Sequence, residues 1–515
     1  MRLTIGWVAL LVTTLAAFGE EYVIPADFRG ETPPRRATRD IAFPCDLTEA
    51  EGLSFDFKAE DFSEYTYFSF YFGFDGGKWC SAGIHPTVEN KWVRMTVKRP
   101  ANGDKFDWAK VRRFRLSGWC GGTNSTYLGV RNIAVEPKRP PVEPTAAEKA
   151  AAAAAIAASN AAAVVRLKAV PPKAGERRLV WAHNANGMRG EGWERGARLL
   201  AENGFTDLIA NLAFGPMSSY PSDVLVFSPR FGGTNRLEEC LAACRRHGLK
   251  LHVWNVCWRT GWGMDEKMAK RFECEGRKQV SFDGAKTDWL CPSHPENQKM
   301  LVDAMLELAS KGVDGVHFDY IRYPDSDYCF CDGCRARFEK LSGAPVKNWP
   351  GDVRRDSKLR VLWRKFRCEA ITAPVRAVAE RLHAAKSRVE VSAALFRDPL
   401  SDPDYVGQDW ASWCAKGCLD FACPMTYEDD FGWFKNKLDK EARQVPGNVP
   451  RYPGLGIGVW TRDGLQVMRF ADQVRYVRET GLRGFTVFEL GWKLEQLMPE
   501  VREALLATDG ALVSD

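Results

Sequence analysis

Gly312-Val-Asp-Gly-Val-His-Phe-Asp-Tyr-Ile-Arg-Tyr-Pro324 is the stretch on which the reading of this chain turns. Its centre, Gly315 to Asp319, is a short, mostly apolar run with an acid at its exit. A run of this kind, without polar alternation, marks a parallel strand covered on both faces. Asp314 stands at the entrance of the strand and reads as structural. His317 alternates with Asp319, so both are expected to face one interior, the histidine as a core residue satisfied by a hydrogen bond.

Seven further runs of the same character lie on either side, so that strands are expected at 179–183, 207–212, 249–256, 315–319, 389–395, 420–426, 454–459 and 484–490. Amphipathic helices such as 192–203, 237–247 and 298–310 separate them. Eight apolar strands alternating with crossover helices predict a (β/α)8 barrel, the TIM-barrel form of the α/β class.

Such a barrel carries its chemistry at the C-terminal ends of its strands. The residues expected there are conspicuously polar: His183, Asn184 and Asn186 after the first strand, Asn211 after the second, Trp254, Asn255 and Trp258 after the third. Asp319, Tyr320, Arg322 and Tyr323 follow the fourth, and Arg397 and Asp398 the fifth. Tyr427, Glu428, Asp429 and Asp430 follow the sixth, Trp460 the seventh, and Glu489 and Trp492 the eighth. Acids, aromatic rings and amides converging on one rim suit a sugar, with two carboxyl groups flanking the scissile bond. No P-loop, dinucleotide glycine fingerprint or His-Glu-x-x-His helix competes.

The quoted stretch, preceded by Cys291-Pro-Ser-His-Pro-Glu, resembles the central signature of the glycosyl hydrolase-like 10 family. Leu251-His-Val-Trp-Asn is similar to that family's third strand, Val391-Ser-Ala-Ala-Leu-Phe-Arg to its fifth, and Asp420-Phe-Ala-Cys-Pro-Met-Thr-Tyr to its sixth. The resemblance implies a (β/α)8 fold and hydrolysis of O-glycosidic bonds, and some members act on peptidoglycan glycan strands that lack peptides. This chain departs from the commoner form, with Phe-Asp-Tyr-Ile-Arg-Tyr in place of a doubled Asp-Asp and three acids after strand six.

Asp319 is the first candidate for catalysis, as nucleophile or base, with Arg322 expected to favour its ionised form. Its partner must hold a proton near neutrality. Glu428 is the leading candidate, with Asp429 and Glu489 as rivals. Asn211, Trp254, Asn255, Tyr320, Arg322, Tyr323, Arg397, Tyr427 and Trp460 are candidate substrate contacts. The alternative is a glycan-binding cell-surface protein without activity.

Cys329, Cys331 and Cys334 open a predicted helix at 335–341. Three thiolates so spaced can hold a structural zinc ion with a fourth ligand such as Cys274 or Cys368, or a pair can form a disulfide. Free thiols are the remaining reading. Catalysis itself needs no cofactor.

The other parts of the chain frame this barrel, which is expected over 173–515. Arg2, the apolar Leu3 to Phe18, and Ala17 and Gly19 spaced before Glu20 read as a signal peptide over 1–19, which would place the protein in the periplasm or outside the cell with no integral membrane segment. Alternating strand patterns predict a β-sandwich over 20–137, weakly similar to jelly-roll carbohydrate-binding modules, in which Trp79, Trp92, Trp108 and Trp119 either meet sugar or fill the core. Prolines and then alanines over 138–172 read as a linker. The net charge of +6 is spread over 72 basic and 66 acidic residues with no basic run, which argues against nucleic acid as a partner and leaves a polysaccharide or other glycan.

Overall fold

The computed structural model describes residues 16–27, 29, 35–84, 86, 88–100, 106–120, 124–138, 143–260 and 264–507. The expected signal peptide therefore lies outside the described residues up to position 15. Two compact units divide the chain, Met1–Thr145 and Ala146–Asp515.

The first unit is a sandwich of two four-stranded antiparallel sheets. One orders the strands Ala16–Ile24, Leu128–Pro137, Ala50–Ala59 and Val93–Lys98; the other orders Arg35–Cys45, Val111–Cys120, Tyr65–Phe74 and Trp79–Gly83. Alternation along Tyr65–Phe74 sends Phe68, Phe70, Phe72 and Phe74 inward, where Phe70 stacks on Phe55 at 5.6 Å and on Phe114 at 5.1 Å. Of the four tryptophans, Trp108 is core. The rings of Trp79, Trp92 and Trp119 each lie beneath a guanidinium, of Arg115, Arg131 and Arg36 respectively, at 4.1 to 4.8 Å. Those faces are already stacked on cations, which a sugar would have to displace.

In the second unit, the alanine-rich stretch is a helix, Ala146–Lys168, long and apolar enough by composition to cross a membrane. In the structure it lies along the helices Gln466–Glu479 and Trp492–Leu506, burying Ala163 and Leu167. Polar bonds fix its position: the Asn160 amide donates to Gly464 O at 2.8 Å, and Arg166 pairs with Asp472 at 2.8 Å. Where the sequence suggested a connector, the chain thus has an outer element of the barrel unit.

The barrel strands are Arg177–Ala182, Asp207–Phe214, Lys250–Val256, Gly315–Asp319, Glu390–Leu395, Phe421–Pro424, Gly454–Leu455 and Gly484–Phe488. They pair in parallel in the order six, five, four, three, two, one, eight, seven. A parallel bridge from Ala422 to Arg451 closes the cylinder between strand six and the approach to strand seven. Strand seven is shorter than its sequence suggested, because Val459 N–H bonds back to Gly456 O and turns the chain away.

Three layers fill the interior. At the bottom, Arg177 donates to Asp207 and Glu390, and Asp207 also meets His252 Nε2 at 3.1 Å. Burial alone would raise the Asp207 carboxyl, but its bonds to His252 and Arg177 prevail and hold it well below the usual carboxylate range. These acids and His252 are close enough to share a cation, and the Arg177 guanidinium already supplies it. The His252 ring also dictates Gly315, because a Cβ there would lie 1.9 Å from Nδ1. Gly315→Ala is expected to cost about 2–3 kcal/mol by overpacking, measured as a lowered denaturant midpoint with unchanged slope.

The middle layer holds Trp181, whose indole N–H donates to His317 Nε2 at 3.1 Å, while His317 Nδ1 meets Ser392 Oγ at 2.8 Å. Because Nε2 accepts, the neutral ring carries its proton on Nδ1 and donates it to Ser392. Complete burial pushes the imidazole well below its ordinary pKa, consistent with that neutral tautomer. The mouth is built directly above.

Candidate active site

Asp319 ends strand four on the inward side, nearly inaccessible to solvent at 5% exposure. The next residue, Tyr320, has φ of 50°, a left-handed conformation uncommon outside glycine. This turn folds the Tyr320 N–H back onto Asp319 Oδ1 at 2.6 Å. Burial raises the Asp319 carboxyl to about 6, against the opposing pull of Arg322, the Tyr320 amide and the Trp254 indole. Arg322, expected to keep it ionised, acts only through space: its guanidinium is wedged among the rings of Trp289, Tyr320 and Phe396 at 4.6 to 5.5 Å and donates to Tyr323 O.

From Asp319 a series of neighbouring groups runs around the mouth. Trp254, on strand three, turns its indole N–H toward Asp319 and has no closer acceptor. Its ring packs on His183 at 5.6 Å, and the His183 backbone N–H bonds to the carboxylate of Glu489 after strand eight. Tyr427, after strand six, feels the charge of both Asp319 and Glu489, and burial with those two charges pushes its phenol well above the ordinary range. The series returns to Asp319. Gly454 and Gly456 make room for Tyr427, since a Cβ at either would fall 2.7 to 2.8 Å from its side chain. Burial also raises Glu489, with Lys493 and the His183 amide opposing.

The other acids are occupied differently. Glu428 pairs with Arg397 at 2.9 Å on the rim. Asp429 accepts from the Thr461 N–H at 3.0 Å and from its hydroxyl, and Asp430 caps the helix Phe431–Gln444 through the Trp433 N–H at 2.9 Å. Of these five acids, Asp319 and Glu489 are the two whose charge is felt by Tyr427.

Of the expected contacts, Asn211, Trp254, Tyr320 and Tyr427 face the mouth or the cleft beside it. Asn255 points the other way, its amide against Met305 Sδ of the crossover helix Pro295–Ser310 at 3.6 Å, because alternation along strand three turns it out when Trp254 turns in. Tyr323 is wholly buried beneath Arg367, in the field of a cysteine cluster. Trp460 is buried as well.

The cleft also brings in residues that the sequence did not single out. Arg230 and Arg259 line it beside His183, Asn211, Thr260 and Tyr320. Arg230 lies over Phe214 and Phe231, and Arg259 over Tyr320 at 5.8 Å. Among the described residues neither has a carboxylate in ion-pairing range. Arg259 follows strand three closely enough to have been legible as a rim residue; Arg230 reaches in from the 3-10 turn Pro229–Phe231, and no strand pattern points to it.

Beside strand four, Cys329, Cys331 and Cys334 converge with Cys291 rather than with Cys274 or Cys368. Cys274 is exposed, and Cys368 Sγ is directed at Pro403 O.

Residues 218–470 match the model of the family described as Glycosyl hydrolase-like 10. An S-layer-related protein from Niallia circulans is 26% identical over 42% of this chain and 16% of its own length, so the chain spans under a fifth of that relative. Among solved structures, a catalytic mutant of a β-galactosidase from G. stearothermophilus superposes with TM-score 0.48 at 10% identity, over 65% of this chain and 57% of that one. The catalytic domain of β-amylase from Paenibacillus polymyxa does so with TM-score 0.46 at 10% identity, over 65% and 99%. These two are likenesses of fold alone.

Proposed function

We propose that this barrel, of glycoside hydrolase type, cleaves O-glycosidic bonds of an exported glycan with Asp319 as proton donor and Glu489 as its partner carboxylate. The observation that carries the proposal is the group Asp319, Trp254, His183, Glu489 and Tyr427, which gathers a buried acid after strand four and a half-buried one after strand eight at one mouth, with the Tyr427 phenol in the field of both. A carboxyl near 6 holds a proton for part of the time at neutrality and can deliver it to a leaving oxygen. Glu489, less deeply buried and facing Lys493, serves as base or nucleophile.

Arg230 and Arg259, without carboxylate partners of their own, favour a glycan that carries acid groups. Peptide-free peptidoglycan strands meet this requirement, since each muramic acid then presents a free lactyl carboxylate. The test is a panel of purified peptide-free strands, uronate polymers and neutral glucans, with new reducing ends as the readout. Release from the acidic members is expected; binding to them without release by any member would favour the non-catalytic alternative. The double variant Arg230→Ala, Arg259→Ala is expected to raise KM for the acidic substrate about tenfold, with kcat nearly unchanged, and equal KM in both proteins would remove the cleft from recognition.

A further inference from the structure

We infer that Cys291, Cys329, Cys331 and Cys334 form a tetrathiolate zinc site that braces the loop carrying the chain away from Asp319. The four Sγ atoms all lie within 4.8 Å of one another, with 3.5 Å between Cys291 and Cys334 and 3.8 Å between Cys291 and Cys331. Zinc–sulfur bonds of about 2.3 Å in a tetrahedron place neighbouring sulfurs about 3.8 Å apart, so the thiols already have the spacing of a filled site. A disulfide would instead draw two sulfurs to about 2.0 Å. All four cysteines are buried, at 0 to 7% exposure.

Donors surround the sulfurs as they do bound thiolates. Val280 N–H points at Cys329 Sγ and Cys334 N–H at Cys331 Sγ, each at 3.4 Å. The Ser293 hydroxyl sits between Cys291 and Cys334 at 3.3 and 3.2 Å and accepts from Arg337 at 3.0 Å; that guanidinium also reaches Cys291 Sγ at 3.9 Å. A thiolate cluster holding a dication keeps excess negative charge, and Arg337 offsets part of it. The buried Tyr323 hydroxyl, with no partner of its own, is close enough to feel Cys334, Cys291 and Cys329.

The clip joins two distant pieces of chain. Cys291 follows the hairpin strand Lys286–Leu290, and the other three follow the strand-four loop, with Cys331 as N-cap of the helix Asp332–Ser342. Phe330 N–H bonds to Val280 O at 2.8 Å in the same seam. Binding displaces the thiol protons to solvent, so occupancy falls with acid.

The test is elemental analysis of the full chain purified without added metal, with thiol alkylation after denaturation. Stoichiometric zinc is expected, released by a mercurial reagent together with a fall in melting temperature. Cys331→Ser is expected to lose the zinc, whereas Cys274→Ser and Cys368→Ser keep it. Should Cys331→Ser fail to fold, the wild-type analysis decides alone: a disulfide among these four cysteines, all of them free with no metal bound, or iron in place of zinc would each overturn the assignment.

Discussion

Asp319→Asn is expected to lower turnover of a natural glycan by about a thousandfold or more while leaving its binding intact, because the amide keeps the shape but has no proton to deliver. An activated aryl glycoside, whose leaving group departs without protonation, should lose far less. An equal loss on both substrates would reassign Asp319 from proton donor to nucleophile or base, the role first read from the sequence. Stability supplies a second readout with the opposite sign. The folded carboxyl is raised to about 6, so its ionised form is less at home inside than in the unfolded chain. The resulting deficit is absent below the unfolded value of about 4 and grows as pH rises through the folded one. The asparagine variant is therefore expected to be more stable than the parent at pH 8, by up to roughly 3 kcal/mol, and equally stable near pH 3. Denaturant melts at the two pH values measure this directly, and a variant less stable at pH 8 would mean that the carboxylate is held by partners rather than stranded.

Glu489→Gln is expected to abolish turnover of both natural and activated substrates, by about a hundredfold to ten-thousandfold. A base or nucleophile is needed whatever the leaving group. Glu428→Gln, by contrast, breaks a rim ion pair with Arg397 whose side chain is 44% exposed, and it should change turnover less than tenfold. The reverse ranking would move the partner role to strand six, where the three successive acids first drew attention. The parent's activity should also fall as pH drops below the folded value of whichever of the two groups must be ionised.

The barrel was legible because its signal is local: each strand is a short buried run, and strand four was read to the residue. The partner acid was harder to read. Glu428 stands in a dense acidic run, yet the run's chemistry is spent on Arg397, Thr461 and a helix cap. Glu489 is a single acid at a strand end, and only the closing of the circle sets it beside Tyr427. Asn255 and Trp254 are neighbours in sequence, and the pleat sends them to opposite faces. The fourth cysteine was missed for a similar reason: Cys291 lies 43 residues from Cys334, inside a segment read for its family likeness rather than for its sulfur.

The two-residue seventh strand, Gly454–Leu455, gives the cylinder one weak stave. Few ladder bonds hold it, and at Gly454 and Gly456 the packing is supplied by the Tyr427 ring rather than by side chains of the strand itself. Breathing of the wall is expected to concentrate along this seam, and earlier hydrogen exchange of its backbone amides than of the other barrel strands would show it. If the proposed glycan is a stiff polymer, this seam is the edge at which the mouth is expected to widen for it.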